Sequence, residues 1–133
     1  MQSSVENVRK ILEEEHLDAF LVSTPSNISY LLTFFGFIGM EREAFVLVTK
    51  KSLYVFTSMI YLQAVKEKVK HATIIETTAT KPFTEKLKTI AATEQIQRIG
   101  FEDTNLTVAE LSRFSKVSVS FIPSSLHTIR KIK

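Results

Sequence analysis

The chain has no cysteine. Disulfides, thiolate metal sites and cysteine nucleophiles are therefore excluded, and the absence of disulfides leans towards a reducing compartment. Glycine is scarce, with Gly36, Gly39 and Gly100 the only three. They never compose GxGxxG or GxxxxGK, so neither phosphate-cradling loop is present. Nor is there a Gly-x-Ser-x-Gly elbow to raise a nucleophilic serine above a sheet. The longest apolar runs, such as Phe34 to Met40, fall far short of the ~20 residues a helical membrane span needs. Met1-Gln2-Ser3-Ser4-Val5-Glu6 lacks the basic-then-apolar layout of a signal peptide. A soluble, cytoplasmic protein is the expectation.

What is present suffices for one folded domain. At 133 residues, with 44% apolar and 23% charged residues, the chain can fill a core and keep its outside wet. The net charge of +3 raises the question of nucleic acid, whose binding uses clustered cations interleaved with exposed aromatics. Here the densest groups are Lys66, Lys68 and Lys70 on one predicted helix and Arg130, Lys131 and Lys133 at the end. They read as a solvated face and a tail, so no nucleic-acid partner is expected.

Local patterns set out an alternating order of helices and strands. Ser3-Ser4-Val5-Glu6 fits a capping box, and Val5, Val8, Ile11 and Leu12 then form an apolar stripe. Arg9 and Glu13 on that helix are spaced to pair, and the helix should end near His16. Asp18 to Val22 reads as a buried strand. Thr24-Pro25-Ser26-Asn27 opens a second helix whose face is Ile28, Leu31, Leu32 and Phe35, with Gly36 as its stop. Ala44–Val48 and Ser52–Phe56, joined by Thr49-Lys50-Lys51, can only be an antiparallel hairpin. A helix from about Met59 to Val69 and a strand over Ala72–Ile75 follow. Thr80 is placed to cap a further helix with Pro82 in its first turn and Phe83, Leu87, Ile90 and Ala91 as its core stripe. Arg98–Glu102 is the next strand. Thr107-Val108-Ala109-Glu110 is a second capping box leading Val108, Leu111 and Phe114 onto a short helix, and Ser118–Ile122 is a last strand ended by Pro123. This order predicts an α/β, three-layer domain with a mixed, mostly parallel sheet of about six strands flanked by helices.

Chemistry is sparse. His16, His71 and His127 stand far apart, so the usual spacing of a zinc pair is missing. His16 suits the negative end of a helix dipole better than a metal shared with Glu13 and Glu15. Glu102-Asp103 follows a strand, where active-site residues of open α/β sheets often sit, but it has no partner histidine or second acidic cluster. A second hydrophobic line, Tyr30, Phe34 and Phe37, runs beside the core face of the second helix. With Ile38 it has no evident core role. Such residues are either covered by another helix or form a patch that marks a partner site.

In order, Leu17-Asp18-Ala19-Phe20-Leu21-Val22, Pro25-Ser26-Asn27-Ile28-Ser29-Tyr30-Leu31-Leu32-Thr33-Phe34-Phe35-Gly36, Glu41 to Val48, Ile99-Gly100-Phe101-Glu102 and Leu126 to Lys133 resemble the segments of the creatinase/aminopeptidase P N-terminal domain. That module precedes the metallopeptidase domain in Xaa-Pro aminopeptidases and Xaa-Pro dipeptidases (prolidases). The resemblance spans essentially the whole chain, with two departures. Ser58 and Ile60 stand where the family has Asp and Arg, and Gly36-Phe37 falls late for its glycine.

The resemblance implies a creatinase N-terminal, ribonuclease-H-like fold and residues 1–133 as a single non-catalytic domain. A divalent metal pair (manganese, cobalt or zinc) would belong to a catalytic domain beyond Lys133. It also implies a role in oligomerisation and in shaping access to the active site for a peptide with proline second. Tyr30, Phe34, Phe37, Ile38 and Arg42 are the candidate substrate-access or interface residues. The implied partners are the chain's own catalytic domain and further copies of the full-length protein. A free-standing small-ligand or interaction module is the alternative. A small two-metal nuclease built on Asp18 and Glu102-Asp103 is a third possibility.

Overall fold

Both faces of the central strands are apolar, and the reason is visible in their alternation. A computed structural model describes residues 3–34, 36 and 44–124. Among these, six strands form one sheet and five helices flank it. In β1 (Ala19–Val22), Phe20 and Val22 face one core while Ala19 and Leu21 face another. In β2 (Ala44–Thr49), Val46 and Val48 share the first core, and Phe45 and Leu47 the second. Successive side chains point to opposite faces, so a strand covered on both sides reads as an unbroken apolar run.

The first face is covered by α1 (Ser3–Glu15), α2 (Pro25–Leu32) and α3 (Met59–Lys68). Val5, Val8, Ile11 and Leu12 of α1, Ile28, Leu31 and Leu32 of α2, and Val65 of α3 fill that core. The second face is covered by α4 (Phe83–Glu94) and α5 (Val108–Phe114). There Phe45, Phe56, Phe83 and Phe114 pack ring on ring, with Phe45 stacked on Phe83 at 4.5 Å between centroids. Aromatic pairs in this range add roughly 0.5–1.5 kcal/mol beyond their buried area. The three layers match the sequence expectation.

The strand order is β4-β3-β2-β1-β5-β6, with β3 at Leu53–Thr57, β4 at Thr73–Glu76, β5 at Arg98–Glu102 and β6 at Ser120–Ser124. β2 pairs antiparallel with both β1 and β3, and the other three junctions are parallel. Thus β2 alone runs against the other five strands. The hairpin is where the sequence placed it, and the carboxyl ends of β1, β3, β4, β5 and β6 share one edge of the sheet.

Several boundaries differ from the sequence expectation. The second helix stops at Thr33, which takes a left-handed conformation (φ 56°, ψ 40°) and donates its amide to the Ser29 carbonyl. It does not run on to Gly36. His16 and Gln95 close α1 and α4 in the same left-handed way without glycine. Pro82 is the N-cap of α4 rather than part of its first turn. Val108 is 86% exposed instead of joining the stripe of α5, although the Thr107–Glu110 capping box forms as expected. Pro123 does not end β6 but lies inside it, opposite Phe101. A proline is tolerated there because β6 is an edge strand, with one side of its ladder unused. Arg9 pairs with Glu6 at 3.1 Å, not with Glu13, and donates through Nε and Nη2 to the carbonyls of Thr49 and Ser52. It ties α1 to the hairpin turn.

Candidate functional site

Open α/β sheets bind ligands at the carboxyl ends of their strands. At that edge β1 and β5 are parallel neighbours, in the register Ala19↔Ile99 to Leu21↔Phe101. One step further, Ser23 and Thr24 lead into α2 beside Glu102, the last residue of β5. Glu102 is 4% exposed. Its Oε1 accepts the backbone amides of Ser23 at 2.7 Å and Thr24 at 2.8 Å. Its Oε2 accepts the Thr24 hydroxyl at 2.9 Å and the Asn27 side-chain amide at 2.6 Å. The carboxylate thus carries four hydrogen bonds, about what its lone pairs can take.

A saturated carboxylate of this kind is a clamp. It holds the amides of the two residues that lead into α2, and the hydroxyl of Thr24, the N-cap, donates to Glu102 and makes no side-chain cap. A general base would need an open lone pair aimed at a substrate, and the four donors leave none. The segments Pro25-Ser26-Asn27 and Ile99-Gly100-Phe101-Glu102 therefore meet in space across 75 residues of chain. The sequence flagged Glu102 but not its partners. The available signal was an asparagine within the first turn of a helix that has no cap of its own.

Gly100 in the same strand is required by contact. A Cβ there would sit 2.7 Å from Leu17 Cδ1 and 2.8 Å from Phe20 Cδ2, inside the core. Asp18, the other acid considered for metal chemistry, lies at the opposite end of the strand pair. Its Oδ2 accepts the amides of Gln97 at 2.9 Å and Arg98 at 3.0 Å, fixing the entry to β5. Asp18 and Glu102 are separated by the length of β5, roughly 13 Å at the usual rise per residue. They do not converge. Among the described residues no group of three or more histidines or carboxylates is placed to hold a metal ion, so the two-ion nuclease arrangement does not fit these residues.

The access or interface candidates divide. Tyr30 is half-buried against the first core, and Phe34 is buried at 7% exposure within it. The Phe34 ring lies where a Cβ on Gly36 would be, 2.5 Å from its Cζ. The expectation that Phe34 has no core role is therefore corrected: the missing side chain at Gly36 lets the ring fold back into the domain. Phe37, Ile38 and Arg42 lie outside the described residues. At the same edge of the sheet, Met59 and Ile60 are 74% and 80% exposed at the start of α3.

Comparison with known proteins follows the same lines. A family model described as "Creatinase/Prolidase N-terminal domain" matches residues 5–132. No curated protein matches the chain. Among solved structures, an Xaa-Pro dipeptidase from Bacillus anthracis superposes with a TM-score of 0.79 at 22% identity, over 92% of this chain and 33% of that one. This chain thus spans about a third of that enzyme. An Xaa-Pro aminopeptidase from Streptococcus pyogenes gives 0.81 at 22% identity, over 98% of this chain and 95% of the other. The N-terminal domain of a cytoplasmic peptidase from Mycobacterium tuberculosis gives 0.81 at 18% identity, over the full length of both. At such identities the likeness speaks to the fold.

Proposed function

Since the chain belongs to the Creatinase/Prolidase N-terminal domain family, we propose that it is the non-catalytic N-terminal domain of a proline-specific metallopeptidase, an Xaa-Pro aminopeptidase or dipeptidase. The observation that carries this reading is the closed edge of the sheet. The position where such sheets hold ligands is filled by Glu102 and its four internal donors. Hydrolysis would then be the work of another domain, which would hold the divalent metal pair, whether manganese, cobalt or zinc. The described residues of this chain offer that pair no ligand set, so no step of the reaction is assigned to them. No helix among these residues is long and apolar enough to cross a membrane.

The domain's own contribution would be to support oligomerisation and to shape access to the active site for peptides with proline at the second position. Phe37, Ile38 and Arg42, which fall between α2 and β2 in sequence, are the residues proposed for it, together with Tyr30. The purified chain is expected to show no turnover of Xaa-Pro dipeptides or longer Xaa-Pro peptides with added manganese, cobalt or zinc. Metal-dependent turnover by a preparation free of contaminating peptidase overturns the reading. In the full-length enzyme, Phe37→Ala or Arg42→Ala is expected to weaken substrate use or assembly with no change in melting temperature. Variants indistinguishable from wild type in KM, kcat and oligomeric mass remove the access role.

A further inference from the structure

The amino ends of the parallel strands carry a cluster that the peptidase reading does not use. Between α1, the β2–β3 turn and the start of β4 lies a depression of about 470 Å³. Arg9 from α1, Lys51 and Ser52 from the turn, and Lys70, His71 and Thr73 from the entry to β4 line it, and no carboxylate does. A neighbouring groove of about 550 Å³ is lined by Glu6, Glu13 and Asp18 as well as Arg9, Lys10 and Lys50, so its charges offset one another locally. The two differ in chemistry, not in size.

Arg9, half-buried along the lining, is held in place. Its Nε is held by the Thr49 carbonyl at 2.9 Å, its Nη2 by the Ser52 carbonyl at 3.3 Å, and its Nη1 by Glu6 at 3.1 Å. Lys70 gives one N–H to the Lys66 carbonyl at 3.0 Å, which leaves two of its three donors for another acceptor. Lys51 and His71 are exposed beside it. Glu6 offsets Arg9, but no carboxylate lines the depression beside Lys51 and Lys70, and a small anion between these lysines would gain charge-assisted hydrogen bonds.

We propose that this depression binds a phosphorylated small molecule through its phosphate or pyrophosphate group. No phenylalanine, tyrosine or tryptophan lines the site, and His71 is the only ring among its lining residues, so little there would stack on a base. Recognition is therefore of the phosphate and not of what it is attached to. The inference is independent of the proposed peptidase role, because it rests on the opposite edge of the sheet.

The test is thermal shift and calorimetric titration of the full chain with inorganic pyrophosphate at low salt. Saturable binding with a rise in melting temperature is expected. Lys51→Glu and Lys70→Glu should each keep or slightly raise the unliganded melting temperature, because each relieves repulsion. Contact between unit charges is worth roughly a factor of five in affinity even in water, so reversing both lysines together should weaken pyrophosphate more than tenfold. Lys116→Glu, the same charge change on a lysine that does not line the site, should leave affinity within about twofold. Adenosine diphosphate should bind within a few-fold of pyrophosphate. Absent or non-saturable binding overturns the proposal, as does equal weakening by Lys116→Glu. A nucleotide preferred by more than tenfold, or tighter binding of a single-stranded oligonucleotide, would also overturn it.

Discussion

Replacing Glu102 by alanine removes the acceptor for four donors at once: the Ser23 and Thr24 amides, the Thr24 hydroxyl and the Asn27 side chain. Leaving a buried donor unsatisfied costs roughly 1–3 kcal/mol, and water entering from the Thr24 side limits how many of the four are stranded. Two stranded donors plus the lost packing put Glu102→Ala at about 3–5 kcal/mol. That is a large share of the roughly 5–15 kcal/mol of a domain's stability. At about 4 °C per kcal/mol for this size, the melting temperature should fall by some 12–20 °C. Glu102→Gln keeps an oxygen for the two backbone amides but turns an NH2 towards Asn27, so it should cost about 1.5–3 kcal/mol. Combining it with Asn27→Ala should then cost less than the sum, since the NH2 no longer meets a second donor. Urea unfolding followed by circular dichroism gives the free energies, and an unchanged slope confirms that the same fold is being melted. Amide exchange at Ser23 and Thr24 should quicken most in Glu102→Ala. If that variant lies within about 1 kcal/mol of wild type with those amides still protected, the clamp argument fails.

Gly100→Ala places a methyl against Leu17 and Phe20 in the first core and should destabilise by about 1–3 kcal/mol through overpacking. A neutral result in urea unfolding would mean those side chains yield without cost. Tyr54 tests electrostatics on the other face. Burial first, and then its hydrogen bond to Glu94, hold its phenol above the ordinary value of 10.0. The folded state therefore keeps this proton longer than the unfolded chain. The stability it contributes is fully present below pH 10.0 and is lost as pH rises through the raised folded value. Tyr54→Phe should flatten that alkaline decline while costing about 0.5–1.5 kcal/mol at neutral pH. Parallel alkaline profiles for the two proteins would remove Tyr54 as the titrating group.

Most of the fold was legible because each element buries a stripe with its own period. Phe83, Leu87, Ile90 and Ala91 fall on one side of a helix and are all buried. Arg98–Glu102 begins and ends as the sequence predicts. The errors cluster where local chemistry permits two outcomes and a distant contact decides. Gly36 is a good helix stop, yet Thr33 already closes α2, and the glycine serves instead to admit the Phe34 ring. Pro123 ends a strand only if both its neighbours need its amide, and at the outer edge of β6 one neighbour is missing. Arg9 has an acid at i+4 and another at i−3. It takes Glu6, the one compatible with reaching the hairpin carbonyls, and that reach spans 40 residues of sequence.

The position of Glu102 explains both why it looked like chemistry and why it is structure. The carboxyl end of a parallel strand next to a helix start is a place of unpaired amides and positive dipole, which attracts an anion from any source. In many α/β sheets that anion is a substrate or cofactor. Here the strand supplies its own carboxylate, buried and fully bonded to Ser23, Thr24 and Asn27. One field thus favours either a ligand site or an internal clamp, and residue type at the strand end cannot separate them. The partners can. An acid meant for catalysis would keep a lone pair facing a cavity, whereas Glu102 has given all of its capacity to fixing where α2 begins. Under the access role proposed for Phe37 and Arg42, which follow α2 in sequence, fixing where α2 begins bears on substrate binding. Loosening Glu102 in a full-length enzyme should therefore raise KM before it lowers kcat. A fall in kcat at constant KM and constant stability would instead place the carboxylate in the chemistry.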